Sequence, residues 1–315
     1  MQTPTTPSPT YTLPSDHRAR LERALVALDG LSVGDALGEK FFAAGSLAMI
    51  AQRATPMGSW HTTDDTEMAI SIVDVLERYG QIEQDELALF FARRWSRDPG
   101  RGYGGGAIRL LRAVSEGGPW RALSKQLFSG GGSYGNGGAM RVAPLGAYFA
   151  EDSDEVVIEQ ARRSAEVTHG HPEGQAGAIA IALAAAHAWR TRNQPVGDER
   201  ALLQWVYDRT PDSTVRAKLA KALDLAPNSS VGFAAGVLGT GAYISAQDTV
   251  PFCVWAASRC LGSFEDAFWT TVEGLGDRDT TCAIVGGIVA CRVGREGIPA
   301  AWLAAREPLV RGLGL

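Results

Sequence analysis

The chain has 315 residues, enough for two ordinary domains or one large one. Its 30 Lys and Arg against 35 Asp and Glu leave a net charge of −5, which argues against a sequence-blind nucleic-acid binder without barring all contact with nucleic acid. Hydrophobic residues at 45% and charged ones at 21% exclude a disordered polymer, and the 37 glycines cluster without the triplet period of a collagen.

Residues 1–16, MQTPTTPSPTYTLPSD, are rich in Pro, Thr and Ser and lack the basic and apolar regions of a secretory signal. They predict a disordered tail, with residues 17–315 as one domain in the cytoplasm. Apolar spacing then predicts a helix over 17–30, with Leu21, Ala24, Leu25 and Leu28 on one face. Gly-Asp-Ala-Leu-Gly at 34–38 reads as a hinge after it. Further helices are predicted over 65–79, 84–96, 107–115, 120–128, 154–167, 173–191, 199–208, 213–225, 250–261, 264–275 and 280–293. The most apolar stretch, 175–189 (QAGAIAIALAAAHAW), is shorter than the ~20 residues that cross a bilayer and contains His187, so it reads as a buried core helix. No run alternates as a strand would. The expectation is an all-α fold, a single large multi-helix domain. Cys253, Cys260, Cys282 and Cys291 show no CxxC spacing and read as reduced core thiols.

Two helix starts share a design. Residues 62–70 read TTDDTEMAI and residues 276–284 read GDRDTTCAI; both place acids and threonines ahead of an Ala-Ile pair. Capping is one reading, since Asp and Thr accept bonds from free helix N–H groups and carboxylates favour the positive dipole end. Metal ligation is the other. Clustered carboxylates repel one another unless a cation neutralises them, and oxygen-only donors suit Mg²⁺ or Mn²⁺. Four carboxylates are enough for two ions ~3.5–4 Å apart. The pattern alone leaves both readings open.

Three further segments interrupt the helical text: GRGYGGG at 100–106, SYGNGGAMR at 133–141 and THGHPE at 168–173. Glycines beside Ser, Tyr and Asn let backbone N–H groups approach a phosphate, and Tyr134 reads either as a base-stacking ring or as a packed one.

Together, GDALG at 34–38, TDDT at 63–66, GNGGAMR at 135–141, Thr168-His169 and GDRDT at 276–280 resemble the ADP-ribosylglycohydrolase family over about residues 25–293. The resemblance implies an all-α domain around two Mg²⁺ ions, with Mn²⁺ as the alternative. It places Thr63, Asp64 and Asp65 on the first ligand cluster and Asp277, Asp279 and Thr280 on the second. Ser133, Tyr134, Gly135 and Asn136 fall on the loop holding the diphosphate and adenosine side of ADP-ribose, and His169 on a substrate-contacting histidine. His171 has no family counterpart and reads as helix-start chemistry. Glu39 follows Gly38 directly, where related sequences carry a glutamate several residues later; it reads either as a substitute gate or ligand, or as a surface residue. Arg278, between the two aspartates, is expected to point away from them.

The implied reaction is hydrolysis of the ribosyl glycosidic bond of an ADP-ribosylated protein or small molecule, releasing ADP-ribose, with Asp64 or Asp65 as the catalytic base. The expected protein is a monomer without membrane contact. Two other classes stay open: a catalytically silent ADP-ribose binder, and a two-metal phosphoesterase cutting the pyrophosphate.

Overall fold

A computed structural model of the chain describes residues 12–195 and 197–312. Residues 1–11 of the expected tail lie outside the described residues, whereas Leu13 and Pro14 sit against Gly80. The helices are α1 (His17–Glu39), α2 (Ser46–Gln52), α3 (Asp64–Tyr79), α4 (Gln84–Arg97), α5 (Gly105–Ser115), α6 (Trp120–Gln126), α7 (Gly137–Met140), α8 (Ala143–Tyr148), α9 (Asp154–Glu166), α10 (Pro172–Arg190), α11 (Arg200–Arg209), α12 (Thr214–Asp224), α13 (Val231–Leu238), α14 (Ala246–Arg259), α15 (Phe264–Glu273), α16 (Arg278–Val293) and α17 (Ala300–Ala305). Among the described residues the only β pairing is two isolated bridges, Trp60 with Arg306 and Gly135 with Ser245. The fold is all-α.

The expected hinge at 34–38 is a correction: α1 runs unbroken through it to Glu39. Gly30, Gly34 and Gly38 recur every four residues, the spacing of one helix face. That face lies against α16. A Cβ on Gly34 would stand 2.0 Å from the Cys282 carbonyl oxygen, and one on Gly38 would stand 2.5 Å from that of Arg278. Gly286 answers from α16, where a Cβ would meet the Gly30 carbonyl at 2.4 Å. Each glycine costs about 1 kcal/mol of helix propensity relative to alanine. What it makes possible is backbone-to-backbone contact that carries α1 alongside the start of α16.

α10 is buried along nearly all its length, as its composition suggested, and it packs against α8, α9, α14 and α16. Pro172 at its first turn and His171 at its cap open it, with the His171 Nδ1 accepting from the Glu173 N–H at 3.1 Å. Phe41, Phe268, Trp269 and Trp302 form an aromatic cluster with ring centroids 5.2–6.0 Å apart between neighbours.

The sequence pattern missed α2, α7, α8, α13 and α17, which run to eight residues or fewer and are too short to show a period. It also began α14 at residue 250; the helix starts at Ala246, with Pro251 inside it.

Candidate active site

The two acidic helix starts meet. Thr63 caps α3, its Oγ accepting from the Asp65 N–H at 3.3 Å, and Asp64 and Asp65 occupy the first turn. Asp277 stands at the cap of α16, followed by Asp279 and Thr280. Thr280 Oγ reaches Asp65 Oδ2 at 3.4 Å and so links the two starts directly. Asp64, Asp65, Asp277, Asp279 and Thr280 line the floor of one cleft of about 380 Å³. Thr63 faces a second opening beyond Gly102, shared with Glu39 and Asp279.

Beneath the α3 start lies Asp35, a fully buried carboxylate of α1 next to Gly34. It accepts from the Thr63 N–H at 2.9 Å, the Thr63 hydroxyl at 2.8 Å, the Thr66 N–H at 3.2 Å and the Thr66 hydroxyl. Burial, and then the charge of Asp279, push Asp35 up to about 7 despite those bonds. Burial followed by Asp35 and Asp279 holds Asp64 and Asp65 well above the ordinary carboxylate range. Burial and Asp279 likewise push Asp277 up to about 7, against the pull of the Asn136 amide.

Two oxygens of this cluster, Asp65 Oδ1 and Asp279 Oδ1, are buried with no hydrogen-bond partner. A buried orphan carboxylate oxygen is costly unless a cation meets it. Among the described residues no three His, Cys, Asp or Glu groups already converge as a closed cage. The donor set is instead two pairs of carboxylates with threonine hydroxyls between them, open to the cleft. Oxygen donors, two orphan atoms and mutual repulsion together fit hard divalent cations.

The glycine loop forms the facing wall. Ser133 Oγ accepts from the Gly135 N–H at 3.2 Å, closing a tight turn that the Gly135–Ser245 bridge ties down. A Cβ on Gly137 would lie 3.0 Å from His169 Cε1, so only glycine leaves that ring its place. Tyr134 stands half-exposed at the rim, edge-on to His171 at 5.5 Å and tilted against Phe128 at 6.2 Å. Asn136, expected on the diphosphate side, turns its amide inward, donating to Asp277 Oδ2 at 2.7 Å and Thr249 Oγ at 3.1 Å. His169 is buried, and burial and the Arg141 charge push it down to about 3, so it is neutral. Glu39 is an exposed residue at the edge of the second opening, and burial of its carboxyl with Asp279 nearby raises its pKa. Arg278 turns away from the acids, donating to the Phe41 carbonyl at 2.7 Å and lying over the Phe42 ring.

The profile of the ADP-ribosylglycohydrolase family matches residues 16–313. The chain belongs to the ADP-ribosylglycohydrolase family. This is a family of hydrolases, and its member here is 30% identical over 277 residues to ADP-ribosylhydrolase ARH3 of Homo sapiens, covering 78% of this chain and 74% of that protein. To the Bos taurus counterpart the identity is 32% over the same shares. The ADP-ribosyl-(dinitrogen reductase) glycohydrolase of Rhodospirillum rubrum is 26% identical over 90% of each chain. A solved structure described as an ADP-ribosylglycohydrolase-related protein complex superposes with a TM-score of 0.63 at 26% identity, covering 92% of this chain and 94% of that one.

The structure adds residues the sequence pattern had not singled out as part of this family member's site. Asp35 lies in the GDALG motif, but the hinge reading gave it no role. Gly102, whose Cβ would lie 3.4 Å from Asp64 Oδ1, joins the floor from the GRGYGGG segment. Phe128, Tyr243 and Ile244 reach the cleft from loops, and nothing in their local sequence marks them.

Proposed function

We propose that this chain is a magnesium-dependent hydrolase cleaving the ribosyl glycosidic bond of an ADP-ribosylated substrate and releasing ADP-ribose. The observation carrying the reading is the pair of orphaned oxygens, Asp65 Oδ1 and Asp279 Oδ1, on two acidic helix starts that meet at the floor of a glycine-walled cleft. The names of the relatives, ADP-ribosylhydrolase and ADP-ribosyl-(dinitrogen reductase) glycohydrolase, supply the substrate class.

Thr63, Asp64, Asp65, Asp277, Asp279 and Thr280 would hold two Mg²⁺ ions, Mn²⁺ being the alternative. Bound there, such ions supply charge neutralisation and fix the hydroxyls of the reacting ribose. The chain's own residues do the rest. The 133–137 loop takes the diphosphate with backbone N–H groups, and binding energy gained at that remote part positions the reacting carbon. Tyr134 and Phe128 offer ring faces to the adenine. Asp65 commits Oδ2 to Thr63 and Thr280, whereas among the described residues no other side chain bonds the Asp64 carboxylate, and both line the cleft. Asp64 is therefore the freer of the two to accept a proton from the attacking water. All four cysteines are free thiols, which suits a reducing compartment.

The test is incubation with ADP-ribosyl-arginine, ADP-ribosyl-serine and O-acetyl-ADP-ribose, with and without Mg²⁺. Free ADP-ribose from at least one, only with the metal, is the expected product. AMP would instead mean a pyrophosphate-cutting phosphoesterase, and no product a silent binder. Asp65→Asn should keep the helical circular dichroism and lower turnover by about 10²-fold or more. Undiminished turnover in that variant would remove Asp65 from the site.

A further inference from the structure

Behind the glycine loop, Arg141, Thr168 and His169 form a line of buried polar groups. We infer that Arg141, acting through Thr168, fixes His169 in the tautomer that carries its proton on Nε2, so that this imidazole meets the ligand as a hydrogen-bond donor. The inference rests on the glycohydrolase reading for the ligand, ADP-ribose, and on geometry alone for the tautomer.

A guanidinium can only donate. Arg141 Nη2 lies 2.9 Å from Thr168 Oγ and 3.0 Å from the Ser164 carbonyl, so the threonine oxygen is an acceptor on that side. The arginine cannot swing away: it is fully buried, stacks on the Phe91 ring at 4.4 Å and touches Met68 Sδ at 3.7 Å. The hydroxyl proton of Thr168 then needs its own acceptor, and His169 Nδ1 stands 2.7 Å away. The opposite arrangement, Nδ1–H donating to an oxygen already taken by Arg141, would leave the buried hydroxyl proton without the one acceptor it has. A neutral imidazole with its lone pair on Nδ1 carries hydrogen on Nε2. Ring orientation agrees: the Cδ2 edge lies against Gly174, where a Cβ would be 3.4 Å away, and Nε2 looks toward Gly135 and Gly137, where Cβ atoms would be 3.3 and 3.2 Å away. Those two glycines and His169 line the same cleft. The Nε2–H therefore selects an acceptor oxygen, a phosphate or ribose oxygen, over a donor group. Arg141 and Thr168 are positioning residues, and neither needs to touch the ligand.

Nitrogen-15 NMR of the histidine ring nitrogens in the full chain, free of metal and ligand, reads this directly. The chain has five histidines, so the His169→Gln spectrum identifies the signals. Wild type should show a pyrrole-type Nε2 and an unprotonated Nδ1, unchanged between about pH 5 and 8. Thr168→Val should give a tautomer mixture and weaken ADP-ribose binding about tenfold, and Thr168→Ser should restore both. A protonated Nδ1 in wild type overturns the inference. So does a folded Thr168→Val that keeps the wild-type tautomer and affinity. If the valine variant does not fold, the wild-type and serine spectra decide. A chain with the expected tautomer that releases ADP-ribose from no substrate would sink the glycohydrolase reading and leave this one standing.

Discussion

The two acidic helix starts look like copies in the sequence, yet the protein holds them by different means. The α3 start is anchored from within, because Asp35 accepts two backbone N–H groups and two hydroxyls from Thr63 and Thr66. It is also braced from outside. Glu307 accepts from the N–H and hydroxyl of Thr62 at 2.8 Å each and from Arg101, and the Trp60 N–H donates to the Ala305 carbonyl at 2.8 Å. The α16 start has no such carboxylate beneath it. It is held by the Asn136 amide, by the Asp277 N–H donating to the Thr240 carbonyl at 3.0 Å, by Arg278 on the Phe41 carbonyl, and by a turn in which Leu275 and Gly276 both take positive φ, 61° and 66°. A Cβ on Gly276 would stand 2.3 Å from the Thr240 carbonyl oxygen, so that turn is pressed against its neighbour. One start is held by a buried carboxylate, the other by backbone packing against α1 and by the Asn136 amide.

That contrast can be broken or sharpened in four ways. The largest effect is expected from pH in the metal-free protein. Asp35 and Asp277 keep their protons up to about 7 when folded but lose them near the ordinary 3.8 when unfolded. The folded chain therefore binds more protons across that interval, and its stability falls as pH rises from about 4 to about 7. Urea unfolding at a series of pH values should show that fall, and saturating Mg²⁺ should flatten it. Asp35→Asn should shrink the fall and leave the parts belonging to Asp64, Asp65 and Asp277. A metal-free stability that rises over the interval would contradict the raised values.

Next comes Asp35→Ala, which strands the Thr63 and Thr66 N–H groups in a buried site. The cost should be about 3 kcal/mol by chemical denaturation, with Mg²⁺ binding lost by calorimetry. Asn136→Ala should cost less, about 1 kcal/mol, because the Asp277 oxygen and the Thr249 hydroxyl each lose a donor but no backbone N–H is stranded. Its Mg²⁺ affinity should drop while the α3 side keeps its stability. Equal losses in the two alanine variants would erase the distinction between the two ways of holding a start. The smallest effect belongs to Glu307→Gln, at or below about 1 kcal/mol, because the amide oxygen still accepts from Thr62 and the losses are the ion pair with Arg101 and the exposed contact with His61. A loss as large as that of Asp35→Ala would make the external brace, not the buried carboxylate, the true anchor.

The long helices were legible because their apolar faces repeat over three or more turns. α3, α4, α9 and α12 fall within two residues of where the periodicity puts them. The glycines of α1 were misread for a physical reason. Local propensity counts each as a helix breaker, and only the approach of α16 reveals what their four-residue spacing serves. The same misreading hid Asp35, since a carboxylate in a hinge has no reason to be buried. Arg141 closed the GNGGAMR motif in plain sight, but nothing local says that its guanidinium reaches Thr168, 27 residues away in the chain.

What the sequence determined alone was an all-helical chain with two acid-bearing helix starts and a glycine loop, because helix period, capping chemistry and glycine clustering are local properties written in neighbouring residues. Which acids share a site, which oxygens stay unpaired, where Asn136 turns and which nitrogen of His169 holds the proton were decided by the tertiary structure. Desolvation and charge repulsion depend on distances between residues as far apart as 35 and 279, and no local pattern sets those distances.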